Sequence, residues 1–344
     1  MARIAFVSFR LGGNDGVSIE AQKWKDALLS LGHEVIEIAG EGPVDVEVPG
    51  LAMGATSPPT RTELTKVFEG VDLVIVENVA SLPLNVAARE VLYSVLEGRR
   101  VIFRHHDLAW QREHLAHLDG PRDAPGWYHV TINDLSREDL RERGIEAVTM
   151  RNTFDCDPPR GRRARARDEL GVDDQYVLLL ASRALERKNI AGALRLANAL
   201  DAVLWILGPS EDGYEKTLET LLSTSTVDVR RGLNPELTVH DAYAACDLVV
   251  MPSTWEGFGN PVLESVTHRR PLALYPYPVA REIMRFGFTF FDLEDVARIA
   301  AFLKSPDRAR LERNLAIARA HFNVDALGEQ LSALLGNAGI RSDY

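Results

Sequence analysis

Two acidic residues, Glu256 and Glu264, lie eight positions apart at a predicted boundary between a strand and a helix. Residues 247–253 are predicted to form a buried strand that ends in a turn, and residues 262–266 are predicted to begin a helix. Carboxylates beyond the end of a strand can accept hydrogen bonds from the hydroxyl groups of a bound sugar. This pair is therefore the first candidate for a functional site.

The segment between the two glutamates offers backbone groups as well as side chains. Pro261 suits the first position of the helix, and Asn260 suits the cap before it. The backbone N–H groups of Phe258, Gly259 and Asn260 should then point toward a ligand, because the N-terminus of a helix favours an anion. A turn that offers amides to a phosphate and carboxylates to hydroxyl groups suits a sugar nucleotide.

The N-terminal part of the chain has a second candidate turn. Residues 4–9 are predicted to form a strand, and Gly12, Gly13 and Gly16 follow it before a helical pattern and a second strand at 34–38. This is a βαβ opening with a glycine-rich loop at the carboxyl end of its first strand, where open α/β sheets bind ligands. The glycines do not form G-x-G-x-x-G, so the dinucleotide-binding fingerprint is absent.

The composition narrows the class of protein. A length of 344 residues suggests two domains, and 46% hydrophobic residues are enough for two cores. The net charge of −11 disfavours non-specific binding to nucleic acid. Two cysteines fit a reducing compartment, and no apolar run approaches the ~20 residues that span a bilayer. We therefore predict a cytoplasmic protein that does not bind nucleic acid.

The string from Glu256 to Glu264, with Pro252 and Ser253 before it, resembles the E-x7-E signature of retaining GT-B glycosyltransferases, especially glycosyltransferase family 4. The resemblance covers nearly the whole chain and is strongest from 176 to 282. It implies an α/β protein with the GT-B fold, in which two Rossmann-like domains face each other across a cleft.

The domain boundaries that this resemblance implies follow the order of the segments. Residues 1–155 are expected to form the N-terminal, acceptor-side domain. Residues 156–322 are expected to form the domain that binds the nucleotide sugar. Residues 323–344 are expected to form a C-terminal helix that crosses back to the first domain.

The resemblance also assigns roles to charged residues of the second domain. Arg183 and Lys188 follow an apolar strand and match the family's G-R-x-x-x-x-K segment, with Ser182 in place of glycine. They are expected to hold the diphosphate of the donor and to stabilise the charge that grows on it as it leaves. Arg187 is expected to face solvent. Glu256 would hold hydroxyl groups of the transferred sugar, and Glu264 would hold those of the ribose.

Further donor contacts are implied for backbone groups. The amides of Phe258, Gly259 and Asn260 would seat the sugar or the diphosphate. The backbone at Leu233 would contact the nucleobase, and because such contacts are largely made by the backbone, UDP and GDP donors are both credible. The segment 275–282 departs from the family's Gly-Gly-x-x-Glu pattern, since only Glu282 matches it.

The resemblance extends to the N-terminal domain. Gly12, Gly13 and Gly16 match a loop that touches the donor phosphates and the transferred sugar. His106 matches a histidine near the reacting sugar, and we expect it to position that sugar; His105 is its neighbour. His105, His106, His114 and His117 could instead bind a metal, but no clear carboxylate or cysteine completes such a site. We predict no metal and no cofactor.

The activity that the resemblance implies is transfer of a hexose from a UDP- or GDP-linked donor to an unidentified acceptor, with retention at the anomeric carbon. Two other classes remain open. One is a GT-B protein that binds a sugar nucleotide without catalysis. The other is a GT-B epimerase or a phosphorylase, of which the latter needs a pyridoxal cofactor.

An arginine-rich run at residues 160–167 allows contact with a membrane surface. Such a run could bind anionic lipid headgroups. An exposed linker that leads into a helix at 164–170 is the favoured alternative. Peripheral membrane contact is therefore a possible interaction, and the oligomeric state is not predicted.

Overall fold

The computed structural model describes residues 1–13, 15–211 and 213–340; the predicted turn at 11–16 and the predicted C-terminal segment each extend in part outside these ranges. The chain divides into two compact units. The first contains Met1–Thr153 together with the segment from Val324 onward, and the second contains Phe154–Asn323. These divisions lie one or two residues from the predicted boundaries at 155 and 322.

The first unit is built on a parallel sheet with the strand order β3-β2-β1-β4-β5-β6-β7. Its strands are β1 (Arg3–Arg10), β2 (Glu34–Glu41), β3 (Val46–Glu47), β4 (Leu73–Glu77), β5 (Val101–His105), β6 (Trp127–Thr131) and β7 (Ala147–Thr149). The strand order reverses between β1 and β4. In sheets of this kind the loops that leave the carboxyl ends of two such strands diverge, and the crevice between them is the usual ligand site.

Helices α1 (Gly16–Ser30), α2 (Arg61–Val67), α3 (Val86–Leu96) and α4 (Asp134–Glu142) connect these strands. The Asp15 side chain caps α1 by accepting hydrogen bonds from the backbone N–H groups of Val17 and Ser18. Gly16 is therefore the first residue of the helix, and the sequence prediction that it belongs to the turn is wrong. Trp24 and Leu28 face the core of the sheet from α1.

The second unit is built on another parallel sheet, with the strand order β10-β9-β8-β11-β12-β13. Its strands are β8 (Val177–Leu180), β9 (Val203–Ile206), β10 (Val229–Arg231), β11 (Leu248–Met251), β12 (Leu272–Leu274) and β13 (Phe291–Asp292). Here the order reverses between β8 and β11. Both strands are apolar and buried along their whole length, as expected for a parallel sheet covered on both faces.

The helices of the second unit are α5 (Arg163–Leu170), α6 (Ile190–Ala199), α7 (Glu215–Ser223), α8 (Val239–Ala245), α9 (Asn260–Thr267), α10 (Pro278–Met284), α11 (Val296–Lys304) and α12 (Arg308–His321). Helix α10 lies in a stretch that the sequence pattern predicts to be a loop. Pro278 is the first residue of this helix, a position where the missing N–H of proline costs no hydrogen bond.

The last helix, α13 (Leu327–Asn337), belongs to the first unit. Its residues Leu327, Leu331 and Leu335 are buried in the same apolar cluster as Trp24 and Leu28 of α1. Burial of each leucine side chain stabilises the folded unit by about 1.5–3 kcal/mol. The segment that follows the second unit is therefore part of the core of the first.

The two parallel, helix-covered sheets confirm the prediction of two Rossmann-like domains. Among the described residues, no helix combines the length and the apolar character needed to cross a membrane.

Candidate active site

The Glu256 carboxylate is the centre of a charged cluster in the second unit. It lies in the loop after β11 and is only 7% exposed. Lys188 Nζ lies 2.6 Å from Glu256 Oε1, and Arg187 Nη1 lies 2.6 Å from Glu256 Oε2. Both cations belong to the loop after β8, the strand next to β11, so the cluster lies where the strand order reverses.

The charges in this cluster stabilise one another. Burial raises the pKa of Glu256, but the neighbouring Lys188 and Arg187 charges outweigh it and lower the pKa to about 2. Burial lowers the pKa of Lys188, Glu256 acts in the opposite direction, and the net shift is downward. At neutral pH Glu256 is therefore a carboxylate held in a fixed position.

The expectation that Arg187 faces solvent is wrong. Its side chain is 26% exposed and also donates a hydrogen bond to the carbonyl of Trp255 at 3.3 Å. A 3-10 turn at Glu186–Lys188, followed by Asn189 in a left-handed conformation with φ of +47°, tightens the loop. Both consecutive cations can then reach the same carboxylate.

Hydrogen bonds hold the two loops of the cluster together. The Asn189 side chain donates to the carbonyl of Pro252 at 3.3 Å, and the backbone N–H of Thr254 donates to the carbonyl of Arg187 at 2.9 Å. The turn after β8 and the turn before Glu256 therefore form one bonded assembly.

Arg183 lies earlier in the loop after β8 and has a different partner. Its Nη1 lies 2.5 Å from Glu211 Oε2, and its side chain is 31% exposed. Gly208 packs against the Arg183 backbone so closely that a Cβ at this position would lie 2.6 Å from the Arg183 Cα. Arg183 is therefore at the rim of the cluster, while Lys188 is in contact with Glu256.

The turn between Glu256 and α9 depends on a close contact with Tyr277. Gly259 has φ of +90°, and a Cβ on it would lie 2.1 Å from Tyr277 Oη. The Tyr277 hydroxyl donates to the carbonyl of Phe258 at 2.7 Å. Gly259 is the residue before the first helical one, so Asn260 and Pro261 are helical and the predicted cap at Asn260 is wrong by one position.

Glu264 extends from α9 and is half-buried. The Tyr243 hydroxyl of α8 donates to Glu264 Oε2 at 2.6 Å. Sequence reasoning missed Tyr243, because a single tyrosine in a predicted helix has no feature that separates it from a core residue. It missed the role of Tyr277 because the stretch around it was predicted to be a loop.

The loop after β10 contains Leu233, which is half-buried. The adjacent Gly232 has φ of +79°, and its carbonyl accepts a hydrogen bond from Trp205 Nε1 at 2.7 Å. This bond ties the backbone next to Leu233 to β9.

In the first unit, His106 lies just beyond β5 and is 5% exposed. His106 Nε2 lies 2.6 Å from Glu77 Oε2, and the His106 backbone N–H donates to Asn78 Oδ1 at 2.7 Å. Glu77 ends β4 and Asn78 follows it, so the neighbouring strand holds both the ring and the backbone of His106.

A buried ion-pair network supports this arrangement. Arg104 lies 3.4 Å from carboxylate oxygens of both Glu77 and Glu20, and its guanidinium lies 4.2 Å from the centre of the Trp24 ring. Burial raises the pKa of Glu77, but the Arg104 and His106 charges more than offset this and lower it. Glu20, Glu77 and Arg104 were not predicted from the sequence.

The three glycines of the first turn differ in whether the local geometry requires a glycine at their position. Gly12 has φ of +74°, and a Cβ there would lie 2.7 Å from Pro43. Gly13 has ordinary contacts with Asp15 and Ser18, and Gly16 has open space around it. Only Gly12, of these three, is required by local geometry.

The arginine-rich run at 160–167 is extensively paired. Arg162 lies 2.6 Å from Asp241, Arg163 lies 2.6 Å from Asp247, and Arg165 pairs with Glu236. These ion pairs compensate much of the charge that a lipid headgroup would contact. Peripheral membrane contact through this run stays a prediction.

Comparison with known proteins indicates which class of protein this chain resembles. Residues 162–314 match the family described as Glycosyl transferases group 1. The fold is similar to the Anabaena protein HepE in complex with UDP and glucose, with a TM-score of 0.76, 17% identity, and coverage of 98% of this chain and 100% of that chain. It is also similar to sucrose-phosphate synthase from Thermosynechococcus elongatus, with a TM-score of 0.72, 16% identity, and coverage of 98% and 99%. The GT-B fold is thereby confirmed.

A sequence relative supports the same class. The mannosylglucosylglycerate synthase of Thermotoga maritima is 26% identical, over 96% of this chain and 99% of that protein. Together with the matched family and the fold, this similarity supports a GT-B glycosyltransferase.

Proposed function

We propose that this protein is a retaining glycosyltransferase of family 4 that moves a hexose from a UDP- or GDP-linked donor to an acceptor. The observation that carries the proposal is the buried Glu256 carboxylate between Lys188 and Arg187, at the reversal of strand order in the second sheet. A fixed acceptor for sugar hydroxyl groups then lies next to cations that suit a diphosphate.

Each charged group has a role in binding the donor. Glu256 accepts hydrogen bonds from hydroxyl groups of the transferred hexose, and Glu264 accepts them from the ribose. Lys188 has three donor hydrogens, so it can hold Glu256 and a diphosphate oxygen at once. Arg183, at the rim, contributes a second cation to the diphosphate, while Arg187 fixes the position of Glu256.

The remaining donor contacts come from the backbone. The amides of Phe258, Gly259 and Asn260 lie at the N-terminus of α9, where an anion is stabilised. The backbone at Leu233 contacts the nucleobase. In the first unit, the turn with Gly12, Gly13 and Gly16 contacts the donor, as the family resemblance implies.

Transfer proceeds on one face of the sugar. The bond between the anomeric carbon and the phosphate oxygen breaks, and the acceptor oxygen bonds to the anomeric carbon on the same side. The departing phosphate oxygen takes the acceptor's proton, so the products are a nucleoside diphosphate and a glycoside. Lys188 and Arg183 stabilise the charge that develops on the diphosphate, and that role can replace a divalent cation. His106, held by Glu77, positions the hexose.

The names of the similar proteins suggest the first compounds to test. The relative from Thermotoga maritima is named for mannosylglucosylglycerate, a small glycoside. HepE was solved with UDP and glucose. We therefore propose UDP-glucose and GDP-mannose as first donors, and glycerate and glucosylglycerate as first acceptors.

Thermal shift followed by turnover tests the proposal. A nucleoside diphosphate at about 100 times its Kd should stabilise the folded protein by about 2.7 kcal/mol and raise its Tm. NMR of the product should show the donor's anomeric configuration. Binding without turnover of any acceptor would favour a sugar-nucleotide-binding protein. A product of inverted configuration would contradict retention. Absorbance of bound pyridoxal would favour a phosphorylase, and interconversion of donor sugars would favour an epimerase.

A further inference from the structure

The Glu264 carboxylate is oriented by a buried hydroxyl group. Tyr243 of α8 is 0% exposed, and its Oη lies 2.6 Å from Glu264 Oε2. An ionised carboxylate only accepts hydrogen bonds, so the tyrosine donates. A bond this short, from a neutral hydroxyl to a charged oxygen, is among the stronger hydrogen bonds found in proteins.

The Tyr243 hydroxyl is itself held in place. Burial raises the pKa of Tyr243 well above its usual value, and the adjacent Glu264 charge acts in the same direction, so the hydroxyl keeps its proton. The Tyr243 ring stacks on His268, with ring centres 4.3 Å apart and planes inclined by 18°. The donor is therefore fixed in both protonation and direction.

His268 fixes the backbone of the same glutamate. His268 Nδ1 lies 2.7 Å from the carbonyl oxygen of Glu264, and a carbonyl only accepts, so Nδ1 carries the proton. Burial lowers the pKa of His268 to about 4, so the ring is neutral at pH 7 and its Nε2 accepts from His240 Nδ1 at 2.9 Å. One stack of three rings thus holds Glu264 by its carboxylate and its carbonyl.

Such a constraint matters for a ligand with two adjacent hydroxyl groups. The terminal torsion of a glutamate side chain is broad when nothing restrains it. A ribose presents its 2′ and 3′ hydroxyl groups side by side, and a carboxylate in one fixed plane can accept from both.

We propose that Tyr243 is a specificity-determining residue: it orients Glu264 so that the protein prefers ribonucleotide donors over 2′-deoxyribonucleotide donors. The inference rests on the proposed function, which gives Glu264 the ribose. Tyr243 is a positioning residue, since it acts through Glu264.

Titration calorimetry of the full chain with nucleotides tests this inference. UDP and GDP are compared first, and the one that binds more tightly is then compared with its 2′-deoxy form. Wild-type protein should prefer the ribose form by about tenfold or more, since a hydrogen bond to a charged group contributes about 1.5–3 kcal/mol. In Tyr243→Phe the affinity for the ribose form should fall by about three- to tenfold, and that for the deoxy form, which has only its 3′ hydroxyl group to offer Glu264, should fall by less.

Two further variants separate specificity from folding. Tyr93→Phe is the matched control, because Tyr93 is also buried and its hydroxyl accepts from the Arg122 backbone N–H at 3.1 Å in the first unit. Tyr93→Phe should leave the ribose preference unchanged.

Glu264→Gln removes the charge but keeps an oxygen that can accept from Tyr243. This variant should lose the ribose preference, and it is the variant to measure if Tyr243→Phe does not fold.

The outcomes distinguish a failure of this inference from a failure of the proposed function on which it rests. If wild-type protein binds neither UDP nor GDP, the proposed donor class is overturned, and the inference with it. If the wild type binds one of them but Tyr243→Phe keeps the ribose preference, or loses affinity for both forms equally, only the role of Tyr243 is overturned.

Discussion

Charged side chains gather near the carboxyl ends of the central strands in both units, but the two clusters differ in their exposure. In the first unit, the side chains of Glu20, Glu77 and Arg104 are each 0–1% exposed and are paired with one another. In the second unit, Lys188 is similarly buried, but Arg187 is 26% exposed. These three side chains of the first cluster are closed off from solvent, whereas the second cluster extends from the core to the surface.

The arrangement of charge differs as well. In the first cluster one cation, Arg104, lies between two carboxylates. In the second cluster one carboxylate, Glu256, lies between two cations, Lys188 and Arg187. A closed network with one shared cation can only organise the fold around it, whereas a partly exposed network with two cations on one carboxylate can bind an anion. The following predictions test this distinction, beginning with the largest effect.

Arg104→Met should destabilise the first unit by about 3–5 kcal/mol, because it leaves two carboxylates buried without their shared cation. Urea unfolding followed by circular dichroism measures this. Arg298→Met, at an exposed ion pair in the second unit, is the control and should change stability by less than about 0.5 kcal/mol. A loss below about 1 kcal/mol for Arg104→Met would show that the closed network is not structural.

Lys188→Ala should lower kcat by about 100- to 1000-fold, the usual effect of removing one group that stabilises developing negative charge. Glu256 keeps its Arg187 partner, so the variant should remain folded, as circular dichroism can verify. Arg298→Ala, measured beside it with the same donor and acceptor, should keep activity within about twofold. Full activity in folded Lys188→Ala would contradict the proposed difference between the two clusters, because the cluster around Glu256 would then have only a structural role.

Acid should weaken the first unit through a buried histidine pair. His105 Nε2 lies 2.9 Å from His129 Nδ1, and burial lowers the pKa of both rings, that of His129 to about 4. The unfolded chain, with histidine pKa values near 6.5, binds more protons in this range. Stability is therefore complete above pH 6.5 and falls as the pH drops toward 4.

Urea unfolding of the wild type between pH 7 and pH 4 measures this effect. His129→Asn should reduce the dependence of stability on pH by about one proton. His114→Gln, at an exposed histidine, should leave the slope unchanged. If His129→Asn keeps the wild-type slope, other groups cause the acid sensitivity.

Gly259→Ala should cost about 1–3 kcal/mol in the second unit and displace the turn before α9, because the new Cβ meets Tyr277 Oη and the backbone has φ of +90°. Gly336→Ala, in α13 with open space around it, should instead stabilise the protein by about 0.5–1 kcal/mol. Thermal unfolding of the two variants measures both changes in stability, a loss for Gly259→Ala and a gain for Gly336→Ala. A neutral Gly259→Ala would mean that the turn is looser than its contacts imply.

The architecture could be predicted because its signal is local. A strand covered on both faces must be apolar throughout, and residues 177–180 and 248–251 satisfy this directly. The turn before α9 was also predicted, since glycine, asparagine and proline in succession are typical of a turn that leads into a helix. Its boundary was wrong by one residue, because the positive φ of Gly259, rather than the Asn260 side chain, determines where the helix begins.

The partners of charged residues could not be predicted, because they depend on register and loop shape. Arg104 meets Glu77 from 27 positions away through the pairing of β4 with β5, and Glu20 from 84 positions away through the packing of α1 on the sheet; no short pattern encodes either contact. Arg187 was expected to face solvent because Lys188 was assigned the contact with the donor. The 3-10 turn instead brings both cations to the Glu256 carboxylate. The roles of the site residues in binding and transfer stay predictions.

The placement of α13 has a consequence for synthesis on the ribosome. Its leucines complete an apolar cluster that begins with Ile4 and Phe6, yet they follow the entire second unit in the chain. At 5–20 residues per second, roughly ten seconds or more separate the emergence of the two halves of that cluster. The nascent N-terminal sheet therefore keeps an apolar face exposed until the second unit and α13 have been synthesised. A chaperone that binds apolar surface would have time to act on it.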